Sequence, residues 1–212
     1  MTVKTKTLRK HCRALGVNLI GTPSAALTLQ RRPNRPGQHG AGRRAKLSPF
    51  AMQLMETQKL KHYYGVTAKQ LKRYYDRASK SKEQTNVFMV QLLERRLDNM
   101  VYRMGFSPTL RAARQMVVHR HILVNGKNVN KPSFEIRVGD EITMRDRSKG
   151  IEKYKEWFEL SEQQLGYIER DGSKMTGKLL LIPAREEIPI QVEDHLVVEL
   201  SLIHISEPTR QP

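Results

Sequence analysis

The first 55 residues contain no acidic side chain, and the first 80 carry eighteen Lys and Arg against only Glu56 and Asp76. The rest of the chain holds twenty basic and nineteen acidic residues, so +16 of the formal net charge of +17 lies in the first two-fifths. Like charges at this density repel, which opposes folding the segment into an isolated globule unless a polyanion neutralises it. A phosphate-rich partner, nucleic acid above all, is the expectation that follows.

With 212 residues, of which 38% are hydrophobic, there is room for two modest packed units, and part of the chain contributes little to either core. Cys12 is the only cysteine. No intrachain disulfide forms, a cysteine-based zinc site cannot close, and a reducing compartment is expected. No apolar run approaches the ~20 residues of a membrane span, so no membrane partner is expected. The acid-free, Arg-, Ser- and Thr-rich start also has the composition of an organelle transit peptide, which stands as a competing expectation.

Residues 1–46 read as an extended basic arm without sustained periodicity. Within it, Arg31-Arg32-Pro33-Asn34-Arg35-Pro36-Gly37-Gln38-His39-Gly40-Ala41-Gly42-Arg43-Arg44 combines two prolines, three glycines and five arginines. Pro and Gly prevent regular structure there and leave the Arg side chains and backbone N–H groups free to follow phosphates. The competing reading is a solvated tail.

Ser48-Pro49 opens a helix, with Ser48 as N-cap, Pro49 at the first helical position and Gly65 past the end. Thr67 starts a second, with Leu71, Tyr74, Tyr75 and Ala78 on one face. A third is expected over 86–104, where Met89, Leu93, Leu97, Met100 and Met104 recur at helical spacing, stopping at Gly105. A small helical bundle over 47–92 results.

Ser107-Pro108 is then expected to cap a short helix that buries Leu110, Ala113 and Val117 and presents Arg111 and Arg114 one turn apart. His121-Ile122-Leu123-Val124, Asn125-Gly126 and Lys127-Asn128-Val129 form a type I′ hairpin signal. A second strand pair is suggested by residues 134–138, a turn at Gly139-Asp140, and 141–144. Beyond that, 151–165 is expected to be helical, and Asp171-Gly172 separates strand-like runs at 166–170 and 175–182. Residues 192–200 fit either a strand or a helix. The fold class is α+β: a basic N-terminal arm, a small helical bundle, and a module of short helices on a small antiparallel sheet.

Two basic clusters are therefore the candidate site. One is Arg31, Arg32, Arg35, Gln38, His39, Arg43, Arg44 and Lys46 in the arm; the other is Arg111, Arg114, His119, Arg120, His121, Asn125, Lys127 and Asn128 beside the hairpin. RNA is favoured over DNA because it is read through shape, phosphates and unstacked bases, and no recognition helix with dimer symmetry is evident. Tyr63, Tyr64, Tyr74 and Tyr75 have the residue type for base stacking, but Tyr pairs at helical spacing more often pack. No catalytic or metal site is expected: the Gly-rich stretch at 37–42 lacks the Lys-Ser/Thr of a nucleotide loop, and His11 next to Cys12 makes no catalytic pair.

From about residue 9 to residue 200 the chain resembles the family of small-ribosomal-subunit protein four, bacterial or organellar. The most specific segments are Arg35-Pro36-Gly37-Gln38-His39-Gly40, then Gln91-Leu92-Leu93-Glu94-Arg95-Arg96-Leu97-Asp98-Asn99 with Val101-Tyr102-Arg103-Met104-Gly105-Phe106, and Ala113-Arg114-Gln115 with His121-Ile122-Leu123-Val124-Asn125-Gly126. The resemblance implies a primary rRNA-binding protein of the small subunit, docking at a multi-helix junction, nucleating assembly and influencing translational accuracy. It implies ribosomal protein five as a neighbour, no cofactor, and a ribosomal location in the bacterial cytoplasm or an organelle. Some members carry a zinc-binding cysteine set in the arm; Cys12 stands alone here, so no metal is expected.

The resemblance also implies an RNA-binding module over 93–157, further strands over 158–189, and a helix over 190–200 that returns to the bundle. Residues 201–212 resemble nothing in the family and are expected to be a foreign tail. Two alternatives remain at this level: a translational repressor acting on the protein's own mRNA, and a pseudouridine synthase, suggested by Arg96-Leu97-Asp98. The second lacks the catalytic domain that should follow the module.

Overall fold

The computed structural model describes residues 8–42, 46–161 and 165–206. In chain order it runs α1 (Leu8–Leu15), α2 (Pro23–Arg31), α3 (Pro49–Tyr63), α4 (Ala68–Ala78), α5 (Thr85–Glu94), α6 (Leu97–Arg103) and α7 (Leu110–Val118). There follow β1 (Ile122–Val124), β2 (Lys127–Asn128), β3 (Glu141–Met144), α8 (Asp146–Lys149), α9 (Glu152–Glu159), β4 (Ile168–Asp171), β5 (Thr176–Leu179), a 3-10 turn (Arg185–Glu187) and α10 (Asp194–Ser206). Among the described residues the chain forms two compact units, one from residues up to 89 together with those from 190 onward, the other from 90–189.

The first unit begins with a correction. The arm expected over 1–46 is helical through α1 and α2, which bury Cys12 and Ala25, with Leu19 buried between them. Helices of eight and nine residues are too short to show a sustained period, which is why the pattern reads as irregular. Asn18 shapes the bend between them, its Oδ1 accepting from the amides of Ile20 and Gly21 at 3.2 and 3.1 Å. Helix α2 ends at Arg31, two residues before Pro33.

α3 starts as its signals dictate: Ser48 Oγ accepts from the Ala51 amide at 3.2 Å with Pro49 at the first position. It ends at Gly65, whose φ of +58° lets Val66 N–H reach back to Lys61 C=O at 3.1 Å. Thr67 and Gln70 close a capping box on α4. Leu60, Tyr64, Leu71, Tyr75 and Ala78 fill this core with Val197 and Leu200 of α10. Residues 192–200, open between strand and helix, are helical from Asp194, and the helix continues to Ser206 across the tail boundary expected at 200. Gln53 Nε2 donates to Glu199 Oε2 at 3.0 Å, tying α3 to α10.

The second unit holds a five-stranded antiparallel sheet in the order β2-β1-β3-β5-β4. The β1–β2 turn has Asn125 and Gly126 at φ +49° and +74°, the signature of a type I′ turn. α6, α7 and α9 cover the sheet through a core that includes Leu97, Met100, Met104, Phe106, Val117, Ile122, Ile142, Met144, Phe158 and Leu179.

Four expectations differ from the structure of this unit. The single helix over 86–104 is broken at Arg95-Arg96: Arg96 adopts ψ 140° and bridges Glu135, while Arg95 C=O and Leu97 N–H bond to Ile136 and Phe134, each at 2.8 Å. Residues 134–138 consequently do not pair with 141–144; β3 lies between β1 and β5 instead. The cap of α7 is Thr109, whose Oγ1 accepts from Ala112 N–H at 3.2 Å; Ser107 is buried and donates to the Thr109 carbonyl. The helix expected over 151–165 is confined to α9, and residues 162–164 lie outside the described residues.

Candidate nucleic-acid interface

In the first unit, Arg31 ends α2 and Arg32 is its C-cap, both exposed. Gln38 and His39 are exposed in a turn where Gly40 N–H donates to Gly37 C=O at 3.2 Å. A Cβ at Gly40 would lie 1.8 Å from the Arg35 carbonyl oxygen, so the turn closes only over glycine. Lys46 is exposed, whereas Arg43 and Arg44 lie outside the described residues.

Arg13, which the residue pattern did not single out, organises this loop. Its Nε donates to the carbonyls of Arg32 and Asn34 at 3.2 and 3.1 Å, and its Nη2 to that of Arg35 at 3.4 Å. One guanidinium thus gathers three loop carbonyls, beside exposed Arg31 and Arg32 and half-buried Arg35. No linear signal marks such a residue, because its partners lie about twenty positions away.

In the second unit, α7 carries exposed Arg111 and, one turn on, half-buried Arg114, whose Nη1 lies 3.7 Å from Asp98 Oδ2. His119 caps the helix, Arg120 follows at φ +62°, and His121 leads into β1. His121 Nδ1 sits 2.8 Å from Ser148 Oγ. Burial, then the charges of His119 and Arg145, holds the His121 imidazole below its ordinary pKa.

At the hairpin tip, Lys127 and Asn128 are exposed on β2. Asn125 serves the fold: its Nδ2 donates to Asp140 Oδ1 at 2.8 Å and its Oδ1 accepts from Glu141 N–H at 2.9 Å. Arg145 joins the cluster from across the sheet, because the β1–β3 register pairs Ile122 with Met144 and brings Arg145 N–H to His121 C=O at 2.9 Å. The strand pairing expected from the residue pattern placed 141–144 elsewhere, so Arg145 was missed. Tyr64 and Tyr75 are buried, and Tyr63 and Tyr74 partly so. Among the described residues no cluster of three or more His, Cys, Asp or Glu is placed to hold a metal ion, and no helix is long and apolar enough to cross a membrane.

A loop of cations beside a tight glycine turn, and a helix-and-hairpin surface bearing a second basic group, are features of the nucleic-acid-binding class of proteins. The comparisons with known proteins specify which. Residues 4–94 match the model of the ribosomal protein S4/S9 N-terminal domain, and residues 95–142 match the S4 domain. Small ribosomal subunit protein uS4 of Limosilactobacillus fermentum is 47% identical over 189 residues, covering 88% of this chain and 92% of that protein. The uS4 proteins of Geobacillus sp. (strain WCH70) and Geobacillus stearothermophilus are 42% and 41% identical, covering 90% and 92% of this chain and 94% and 96% of theirs. The chain belongs to the uS4 family.

Proposed function

We propose that this chain is a structural, non-enzymatic constituent of the small ribosomal subunit that binds its rRNA. The observation that carries the reading is the pairing of two basic surfaces with family membership: the Arg13-clasped loop in one unit and the α7–β1–β3 cluster in the other. Phosphate neutralisation by the loop supplies salt-sensitive affinity, and the module supplies shape recognition of folded RNA.

The residues assigned to rRNA are Arg31, Arg32, Arg35, Gln38, His39, Arg43, Arg44 and Lys46, with Arg111, Arg114, His119, Arg120, His121, Lys127 and Asn128; Asn125, whose amide is engaged by Asp140 and Glu141, is assigned to shaping the turn that presents them. Arg145 is added here. Docking at a multi-helix junction, nucleation of assembly, an influence on accuracy, contact with ribosomal protein five and binding of the protein's own mRNA extend the same proposal on the strength of the family resemblance. The bacterial relatives support a ribosome of bacterial type.

Two findings weigh against a pseudouridine synthase. Asp98 is 1% exposed and its carboxylate is taken by Arg96, which leaves no nucleophile open to a base. The test of the proposal is affinity for a multi-helix junction transcript of small-subunit rRNA against a plain duplex of equal length, at matched salt. Preference for the junction supports the reading, and equal affinity for both contradicts it.

A further inference from the structure

The second unit gathers four aromatic rings into a continuous row. His119 and His121 lie 6.1 Å apart, centroid to centroid, with planes inclined by 22°. His121 meets Tyr154 of α9 edge-on at 5.5 Å, and Tyr154 lies 5.5 Å from Trp157 one helical turn later. Tyr154 and Trp157 are partly buried against the core, which accounts for the inner side of the row.

Core packing does not account for its outer side. The ammonium of Lys153, an exposed residue, lies 5.2 Å over the Trp157 ring. The group on that indole face is thus a solvated, flexible side chain rather than the core, and an incoming base can displace it. His119 at the other end is exposed, and exposed Arg145 borders His121. A row of rings, exposed at His119 and half-exposed at His121, Tyr154 and Trp157, with the cations Lys153 and Arg145 beside it, is the kind of arrangement on which unpaired bases stack. α9 also carries Glu152, Glu156 and Glu159, which disfavour a phosphate track along this helix and leave stacking as the interaction it offers.

We infer that His119, His121, Tyr154 and Trp157 form a stacking site for unpaired nucleobases of single-stranded RNA, distinct from the phosphate contacts of the basic loop. The inference rests on the rRNA-binding reading and deepens it by naming the RNA feature that this face takes.

Trp157 is the only tryptophan in the chain, so its fluorescence reports on this site alone. The intact protein is titrated at low salt with oligoadenylate of about ten nucleotides, within the site sizes typical of such surfaces, and with a length-matched abasic oligonucleotide. Binding is followed independently by anisotropy of an end label. Saturable quenching of Trp157 by oligoadenylate, with none at saturation by the abasic strand, is the expected result. His119→Ala, a change at an exposed position, weakens oligoadenylate about tenfold, the loss of one stacking partner, and leaves the abasic strand unaffected. Absence of oligoadenylate binding, saturation without a change in Trp157, or equal quenching by both strands overturns the inference. Affinity for the junction transcript, measured on the same sample, separates the outcomes: if it persists, only the stacking site falls, and if it is lost, the rRNA reading falls too.

Discussion

Arg96 reaches forward along the chain and lays its guanidinium on the carboxylate of Asp98, with Nε to Oδ1 at 3.0 Å and Nη2 to Oδ2 at 2.7 Å, and both residues are 1% exposed. The pair sits where α5 breaks into α6. Asp98 also accepts from the Asn99 amide and lies near Arg114 on α7. Burial raises the Asp98 carboxyl pKa, and the charges of Arg96 and Arg114 oppose that rise. A second buried network adjoins it: Glu94 Oε1 accepts from Arg103 Nε at 2.6 Å and from the Tyr167 hydroxyl at 3.0 Å, and burial together with Glu94 pushes the Tyr167 phenol well above its usual range.

Asp98→Asn removes the carboxylate charge that faces the buried Arg96 guanidinium. Breaking one side of such a pair costs about 3–5 kcal/mol, so urea unfolding of the variant should shift to a markedly lower midpoint. A midpoint within error of the parent would show that Arg96 finds solvent or another anion.

Arg13→Met removes three hydrogen bonds to loop carbonyls but no group assigned to a phosphate. Hydrogen bonds from a charged donor contribute about 1.5–3 kcal/mol where they are well shielded, and these are largely exposed, so the expected loss of RNA affinity is about tenfold. The log K against log salt slope should change less than in Arg32→Ala. A slope falling as far as in Arg32→Ala would make Arg13 a phosphate ligand itself.

His121 gives the module a pH dependence of known sign. Its folded-state pKa is depressed from 6.5 by burial, then by His119 and Arg145, so the unfolded chain takes up a proton first as pH falls. The stability it contributes is present above about pH 6.5 and declines as the pH drops toward the lower folded value. Thermal unfolding between pH 7.5 and 5.5 should show this loss, and His121→Gln should flatten it. An equally steep profile in the variant would assign the effect elsewhere.

The elements that read correctly from residue order are those whose determinants are local. Ser48-Pro49 and Thr67 with Gln70 start their helices through contacts within one turn, and Asn125-Gly126 sets its own turn by backbone preference. The break at Arg95-Arg96 is not local. Met89, Leu93, Leu97, Met100 and Met104 keep helical spacing across it and are all buried, while the bonds that interrupt the helix come from Phe134 and Ile136, some forty residues on. β3 was legible as a strand but not its neighbours, since residues 134–138 and 176–179 both have the composition to pair with it. The basic residues of the site were visible as charge; the devices that shape them, Arg13 and the β1–β3 register that brings in Arg145, were not. α1 and α2 were missed because two turns of helix show no period.

The account rests on the clasped loop meeting phosphates. The direct measurement is the salt dependence of junction-RNA affinity for the parent chain and for the triple change Arg31→Ala, Arg32→Ala and Arg35→Ala. Each lost phosphate contact lowers the slope magnitude by about one, so the triple variant should be shallower by about two to three with its fold intact. An unchanged slope would contradict the assignment of this loop to the RNA backbone.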